Sequence, residues 1–169
     1  MATDSKSPEL DPPLADPRPM DVDDLDRVVA NEFSSYAFPW TRGIFLDCIK
    51  SRHECWVVCV EDELIAHAVL SVAAGESHLL NLCVRRDRQG LGYGRVLALH
   101  MMTRAHRRKA NMIFLEVRPS NITAGNLYES LGFREIGIRE NYYPATLGHE
   151  DARVMALDLD TYFLDDASF

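Results

Sequence analysis

No stretch of this 169-residue chain is apolar enough to cross a bilayer. The longest uncharged apolar run, Leu64 to Gly75, covers 12 residues, against the roughly 20 that a spanning helix needs. The first twenty residues lack an apolar core behind a basic start, so they do not read as a secretory signal. C-x-x-C spacing is missing as well. Cys48, Cys55, Cys59 and Cys83 sit within apolar runs and read as reduced, buried thiols rather than a disulfide framework. Basic residues are the minority, 18 Lys and Arg against 26 Asp and Glu, a net charge of −8. That balance counts against a general nucleic-acid binder. What is present is ordinary for a globular chain, 47% hydrophobic and 26% charged, which excludes collagenous and low-complexity readings. The length suits one domain with a full core. A cytoplasmic protein with no membrane contact and no direct nucleic-acid partner is expected.

The charge is uneven. Residues 1–26 carry eight acids and two bases, with five prolines before Met20. Residues 1–19 therefore read as a disordered, acidic, Pro-rich leader, and 20–169 as a single domain. Within the domain, residues 85–109 hold eight bases (Arg85, Arg86, Arg88, Arg95, Arg104, Arg107, Arg108 and Lys109) and one acid, Asp87. Such a run is either a solvated helix face or the footprint of an anion.

Periodicity predicts a helix after Met20 with Leu25, Val28 and Val29 inward. After the aromatic turn Tyr36–Trp40, a second helix is capped by Thr41 and buries Ile44, Phe45, Cys48 and Ile49. Cys55–Val60, Leu64–Val72 and Leu79–Val84 read as strands, the first two as a hairpin. A glycine loop leads into a helix reaching about Lys109, with Leu91, Ala98, Met102 and Ala105 as its buried stripe. Met112–Val117 is a strand, and a short helix from Asn121 stops at Gly132. Two strands, Phe133–Ile138 and Val154–Leu157, flank a loop holding Tyr142-Tyr143-Pro144. The alternation predicts a mixed α/β fold, a central mixed sheet with helices on both faces.

Gln89-Gly90-Leu91-Gly92-Tyr93-Gly94 joins a strand to a helix. Glycines there let the backbone turn sharply and gather several N–H groups at the positive end of a helix, a setting for phosphate. A Rossmann fingerprint needs G-x-G-x-x-G, and Val96 and Leu97 stand where its third glycine belongs; a P-loop needs Gly-Lys-Ser/Thr, which is absent. The structural alternative is a flexible linker. It sits poorly with four arginines and two strong flanking elements.

Gln89-x-x-Gly92-x-Gly94 matches the Q/R-x-x-G-x-G/A signature of the GCN5-related N-acetyltransferase (GNAT) superfamily. From about residue 20 to 160 the chain resembles the bacterial ribosomal-protein-alanine N-acetyltransferases, the RimI type. The stretches carrying this are Ala37-Phe38-Pro39-Trp40, the glycine loop, Leu115-Glu116-Val117-Arg118, Ser120-Asn121, Leu127 to Phe133, Asn141-Tyr142-Tyr143-Pro144 and Glu150-Asp151-Ala152. Phe-Pro-Trp and Asn-Tyr-Tyr-Pro tell more than the loop, because coenzyme binding does not require them.

The resemblance implies a GNAT-like sheet of six to seven strands. It implies acetyl-CoA as co-substrate, no metal, and an N-terminal segment of a small-subunit ribosomal protein (number eighteen) as partner, acetylated on its N-terminal alanine by direct attack in a ternary complex. It implies Glu116 as proton acceptor and Tyr128 as proton donor to the departing thiolate. Coenzyme contacts fall on Leu82, Cys83, Val84, Gln89, Gly90, Leu91, Gly92, Tyr93, Gly94, Arg95 and Asn121. An oxyanion donor from the Leu82–Val84 backbone is worth ~3 kcal/mol; the side chains of Leu82 and Val84 read as core. Arg85-Arg86 replace a proline usual in the family. Phe38, Trp40, Tyr142 and Tyr143 are candidate walls of the acceptor site. Without the resemblance, Glu116 reads as an acid reaching solvent, Tyr128 as core and Asn121 as a helix cap.

Three alternatives stay open on the sequence: the same chemistry on lysine side chains or small amines, a non-catalytic acyl-CoA-binding module, and a metal or redox protein built on the cysteines with His53, His67 or His78.

Overall fold

The computed structural model describes residues 15–166. Seven strands form one sheet in the order β1-β2-β3-β4-β5-β7-β6. They are β1 (Arg18–Pro19), β2 (Glu54–Val60), β3 (Glu63–Ala73), β4 (Glu76–Val84), β5 (Met112–Val117), β6 (Arg134–Pro144) and β7 (His149–Asp158). Only β4 and β5 run parallel; the remaining neighbours are antiparallel. Helices α1 (Leu25–Ser35) and α2 (Arg42–Lys50) precede the β2–β4 meander, α3 (Tyr93–Arg107) makes the parallel crossover, and α4 (Ile122–Ser130) and α5 (Leu159–Asp166) follow. No described helix is long and apolar enough to cross a membrane.

The sheet is covered on both faces, as the alternation predicts. Leu25, Val28, Phe45 and Cys48 from α1 and α2 pack on Cys55, Val57 and Val69. The opposite face of the same strands, with Val58, Ala66 and Leu70, receives Leu97, Ala98, Met101, Met102 and Ala105 of α3. Strand β3 is buried along most of its length, which explains its continuous apolar reading.

Several boundaries differ from the sequence reading. The sheet reaches back to Arg18–Pro19, inside the segment read as leader, because the Arg18 guanidinium binds Asp24 at 2.7 Å and the backbone pairs with Trp56 and Val57. The leader's first 14 residues lie outside the described ones. Ile44 is exposed rather than part of the α2 stripe, and Leu91 precedes α3 and is 56% exposed. The Leu82 and Val84 side chains are half-buried and pack against the main core cluster. Tyr142-Tyr143-Pro144 belongs to β6 and not to a loop. There Asn141 adopts φ +51° within a register break between Arg139 and Tyr143. A short polar side chain tolerates that left-handed bend, so the strand continues past a position that reads as a turn.

Candidate active site

The site lies where β4 and β5 part. Their parallel pairing runs from Glu76 with Met112 to Leu79 with Leu115 and then stops, although both strands continue. At that point β4 carries a bulge: Val69 of β3 faces Asn81 while Leu70 faces Leu79, leaving Leu80 as the extra residue. An extra residue bends a strand and re-aims its side chains. Beyond it, Leu82, Cys83 and Val84 pair with β3 only. Tyr36 Oη donates to the Leu82 carbonyl at 2.6 Å and Gln89 Nε2 to the Val84 carbonyl at 3.0 Å. The Leu82 and Val84 carbonyls are thus taken up by the protein, and these residues' N–H groups remain as the donors available on that edge. Cys83 is buried, and burial pushes its thiol up to about 12.

The glycine loop follows. Gly90 and Gly92 have φ of +76° and +94°, and Gly92 starts α3 with no side-chain cap. The first intrahelical bond runs from Val96 N to Gly92 O. The N–H groups of the first turn, Tyr93 to Arg95, are therefore open to an anion. A Cβ on Gly94 would touch Leu127 and Val84 at 3.4 and 3.7 Å, so its smallness serves packing against α4. Tyr93 points its ring into the core; only its backbone can meet a ligand. The Arg95 guanidinium binds Ser130 Oγ at 2.9 Å. Asn121 caps α4, accepting from Ala124 N at 3.2 Å.

The basic segment divides in two. Arg85 is held by Asp87 and Glu63, and Arg88 lies 3.8 Å from Glu63. Arg104 and Arg108 sit at the far end of α3, about 15 to 20 Å along its axis, and clamp Glu54 at 2.9 and 3.3 Å. Arg104 and Arg108 therefore hold Glu54 and are not part of an anion footprint around the loop. Arg86 and Arg95 have no carboxylate partner among the described residues.

Glu116 sits one residue past the last β4–β5 pair, its side chain 7% exposed. It is held by His78 through Nε2 and by Arg139 Nε at 3.1 Å. Burial alone would raise its carboxyl, but the bond from His78 and the Arg139 charge outweigh that and hold it below the usual range. His78, Leu79, Leu80, Trp40, Tyr142 and Tyr143 line a cavity of about 330 Å³ with it. Arg118 stacks over Tyr143 at 4.3 Å and reaches Phe38 at 5.7 Å, which puts Phe38 at the rim. Glu150 accepts from Arg118 and from Ser120 N, tying β7 to the turn after β5.

Tyr128 of α4 is buried against Phe133, ring centroids 5.6 Å apart. Burial and the neighbouring Tyr143 push its phenol well above 10. Tyr143 in turn is raised by burial and by Glu116, so Tyr128, Tyr143 and Glu116 form one electrostatically connected group. Of the residues expected at the site, Glu116, Trp40, Tyr142 and Tyr143 line one cavity with Phe38 at its rim, Gly94 packs against Val84 and Leu127, and the Tyr93 ring and Cys83 are buried in the core. Sequence reasoning missed His78 as a member, having weighed it only as a zinc ligand. A lone histidine on a strand gives no signal until β5 lies beside it.

A metal reading rests on Glu32, His67 and Cys83, all buried with ligand atoms within 4.8 Å. Glu32 already accepts from His67, Asn81 and Trp40 N, and burial keeps the thiol protonated. That set is engaged within the protein and does not fit a metal.

Comparison with known proteins agrees with the geometry. The sequence profile of the Acetyltransferase (GNAT) family matches residues 21–133. A ribosomal protein bS18-alanine N-acetyltransferase from Salmonella typhimurium is 40% identical over 136 residues, 80% of this chain and 92% of that one. The crystal structure of the ribosomal-protein-S18-alanine N-acetyltransferase from Escherichia coli superposes with a TM-score of 0.79 at 37% identity, covering 85% of this chain and 92% of that one. A Bacillus subtilis acetyltransferase solved in complex with CoA gives 0.58 at 25% identity over 68% of this chain and 82% of that one.

Proposed function

The chain belongs to the GNAT family of acetyltransferases, and from that premise we propose that it acetylates the N-terminal alanine of ribosomal protein bS18 in the cytoplasm. The likeness to the Salmonella enzyme over 80% of the chain carries this acceptor class. Acetyl-CoA supplies the activated acetyl thioester. The open first turn of α3 and the Gly90–Gly94 loop suit its pyrophosphate, and the free β4 edge at Leu82–Val84 suits its extended arm and the developing oxyanion.

Proton chemistry supports an α-amine. At neutral pH an α-amine with pKa near ~8 is roughly a tenth neutral, whereas a lysine near ~10.4 is below about one in a thousand. Glu116 is ionised but held low by His78 and Arg139, which makes its carboxylate a weak base. Such a base suits an amine that needs little help. Glu116 accepts the amine proton, directly or through a water, and Tyr128 returns a proton to the departing thiolate. Burial weakens the phenol as an acid, but the same dry surroundings raise the thiolate's affinity for a proton. Phe38, Trp40, Tyr142 and Tyr143 form the walls that seat the acceptor's first residues.

The test is acetyl transfer to short peptides varied at their first residues, with a lysine-bearing, N-terminally blocked control. Label on the α-amine of alanine-first peptides is expected. Label confined to lysine side chains would sink the N-terminal reading, and coenzyme binding without transfer would leave an acyl-CoA-binding module.

A further inference from the structure

Glu32 carries a carboxyl that the acetyl transfer does not use and that the interior does not favour. It lies in the last turn of α1 and is 1% exposed. A carboxylate there faces both the cost of burial and the negative end of the helix. A well-packed apolar side chain would often be the cheaper occupant. The carboxyl is instead met by donors from three separate segments. Oε1 accepts from Trp40 N at 3.2 Å and from Asn81 Nδ2 at 3.1 Å, and Oε2 accepts from His67 Nε2 at 2.9 Å. Asn31 Nδ2 donates to His67 Nδ1 at 3.1 Å, which leaves the ring hydrogen on Nε2, pointing at Glu32.

The two partners of Oε1 belong to opposite sides of the reaction. Trp40 lines the cavity that holds Glu116. Its bond to Glu32 is the one hydrogen bond that the backbone of residues 37–40 makes among the described residues. Asn81 follows the β4 bulge and precedes Leu82 on the edge that suits the coenzyme arm. Leu82 itself is fixed separately, by Tyr36 Oη on its carbonyl and by pairing with Ala68 of β3.

We propose that Glu32 is a positioning residue of the acetyl transfer: through one oxygen atom it fixes the turn carrying Phe38 and Trp40 against β4, and so sets where the acceptor amine stands relative to the acetyl group. The proposal rests on the acetyltransferase reading given above and leaves Glu116 and Tyr128 in their roles. Two donors that share one acceptor atom cannot drift apart without breaking a bond inside the protein. Misplacing an attacking group by about 1 Å costs about 10²-fold in rate, and a turn without this anchor is free to move that far. Asn31 Oδ1 is buried without a partner, which gives the network a second arrangement. In Glu32→Gln the amide oxygen keeps Trp40 N and Asn81 Nδ2. Its NH2 then meets His67 Nε2, once the ring hydrogen moves to Nδ1 and the Asn31 amide turns over to accept it. Glu32→Leu has no such option and releases both partners of Oε1.

The experiment measures kcat and KM for an alanine-first peptide in the wild-type chain, E32Q and E32L, with acetyl-CoA affinity and stoichiometry from calorimetry. E32L is expected to lose about 10²-fold in kcat with a raised peptide KM. Acetyl-CoA should bind as in wild type, because the glycine loop and the Leu82–Val84 edge are held by other bonds. E32Q is expected to stay within about threefold of wild type in both peptide constants, its two Oε1 bonds being kept. E32L with peptide constants that close to wild type overturns the proposal. So does E32Q as impaired as E32L, since charge and not position would then count. A fall in kcat that tracks a reduced acetyl-CoA stoichiometry, with peptide KM unmoved, marks a merely structural residue and also overturns it. No transfer by the wild-type chain overturns the proposed function and this proposal with it. If E32L does not fold, Asn81→Ala decides, because it removes the β4 donor alone. A peptide kcat lowered more than about threefold with acetyl-CoA affinity kept supports the role, and a smaller change refutes it.

Discussion

Tyr128 and Asp24 show how differently two buried polar side chains are held. The Tyr128 hydroxyl makes no hydrogen bond among the described residues. Tyr128→Phe should therefore change thermal stability by less than about 0.5 kcal/mol, while kcat falls about 10²-fold if the phenol is the proton donor. Differential scanning fluorimetry beside steady-state kinetics measures both. Asp24 is instead saturated with partners: Arg18 at 2.7 Å, Arg27 at 2.6 Å and the Asp21 N–H at 2.8 Å. The bond from Arg18 leads the causes that lower its carboxyl to about 2. A depressed carboxyl stabilises the fold above its unfolded value of 3.8, and the contribution fades as pH falls toward 2. Urea midpoints measured from pH 6 to 2 should drop through this window. Asp24→Asn should cost on the order of 2 kcal/mol at pH 6 and converge with wild type near pH 2.

At the scale of elements, the glycine loop is the segment whose conformation matters most. Gly92 at φ +94° both ends the loop and opens α3. Gly92→Val places a β-branched side chain in a left-handed conformation, beside N–H groups that an anion must approach. Calorimetry is expected to find acetyl-CoA binding lost, while circular dichroism retains the helical signal of α1 to α4. Unaltered affinity would remove the loop from the coenzyme site. The motif was legible in the chain because a run of three alternating glycines between a strand and a helix has few uses. The β4 bulge at Leu80 and the β6 break around Asn141 were not. A bulge is set by which residues the neighbouring strand presents, and the β4–β5 crossover brings together residues more than thirty positions apart.

For the molecule as a whole, charge placement is decided by folding. The net charge of −8 hides a basic run, and the run itself hides a division. Arg85 to Arg95 lie near the loop, while Arg104 and Arg108 hold Glu54 on β2, with Trp56 Nε1 also donating to Glu54 at 2.9 Å. The Arg104 guanidinium lies over the Trp56 ring at 5.0 Å. Arg104→Ala should lower stability by about 1 to 2 kcal/mol, seen as a drop of a few degrees in Tm, and should leave acetyl-CoA affinity unchanged. A weakened coenzyme affinity would return the distal arginines to the anion site.

What the sequence determined by itself is local. Apolar periodicity placed α1 to α4 and the cores of β2 to β5, Asn121 marked a helix start, and Glu116 stood out as an acid ending an apolar strand. These features depend on neighbours within a few residues, so the chain carries them openly. The tertiary structure decided the rest. Strand β5 inserts between β4 and β7, which sets Glu116 against His78, and the β4 bulge at Leu80 stands where their pairing ends. It also wraps β6 so that its two tyrosines close the same cavity. Each of those contacts joins residues far apart in the chain, and their free energy exists only once the sheet has formed.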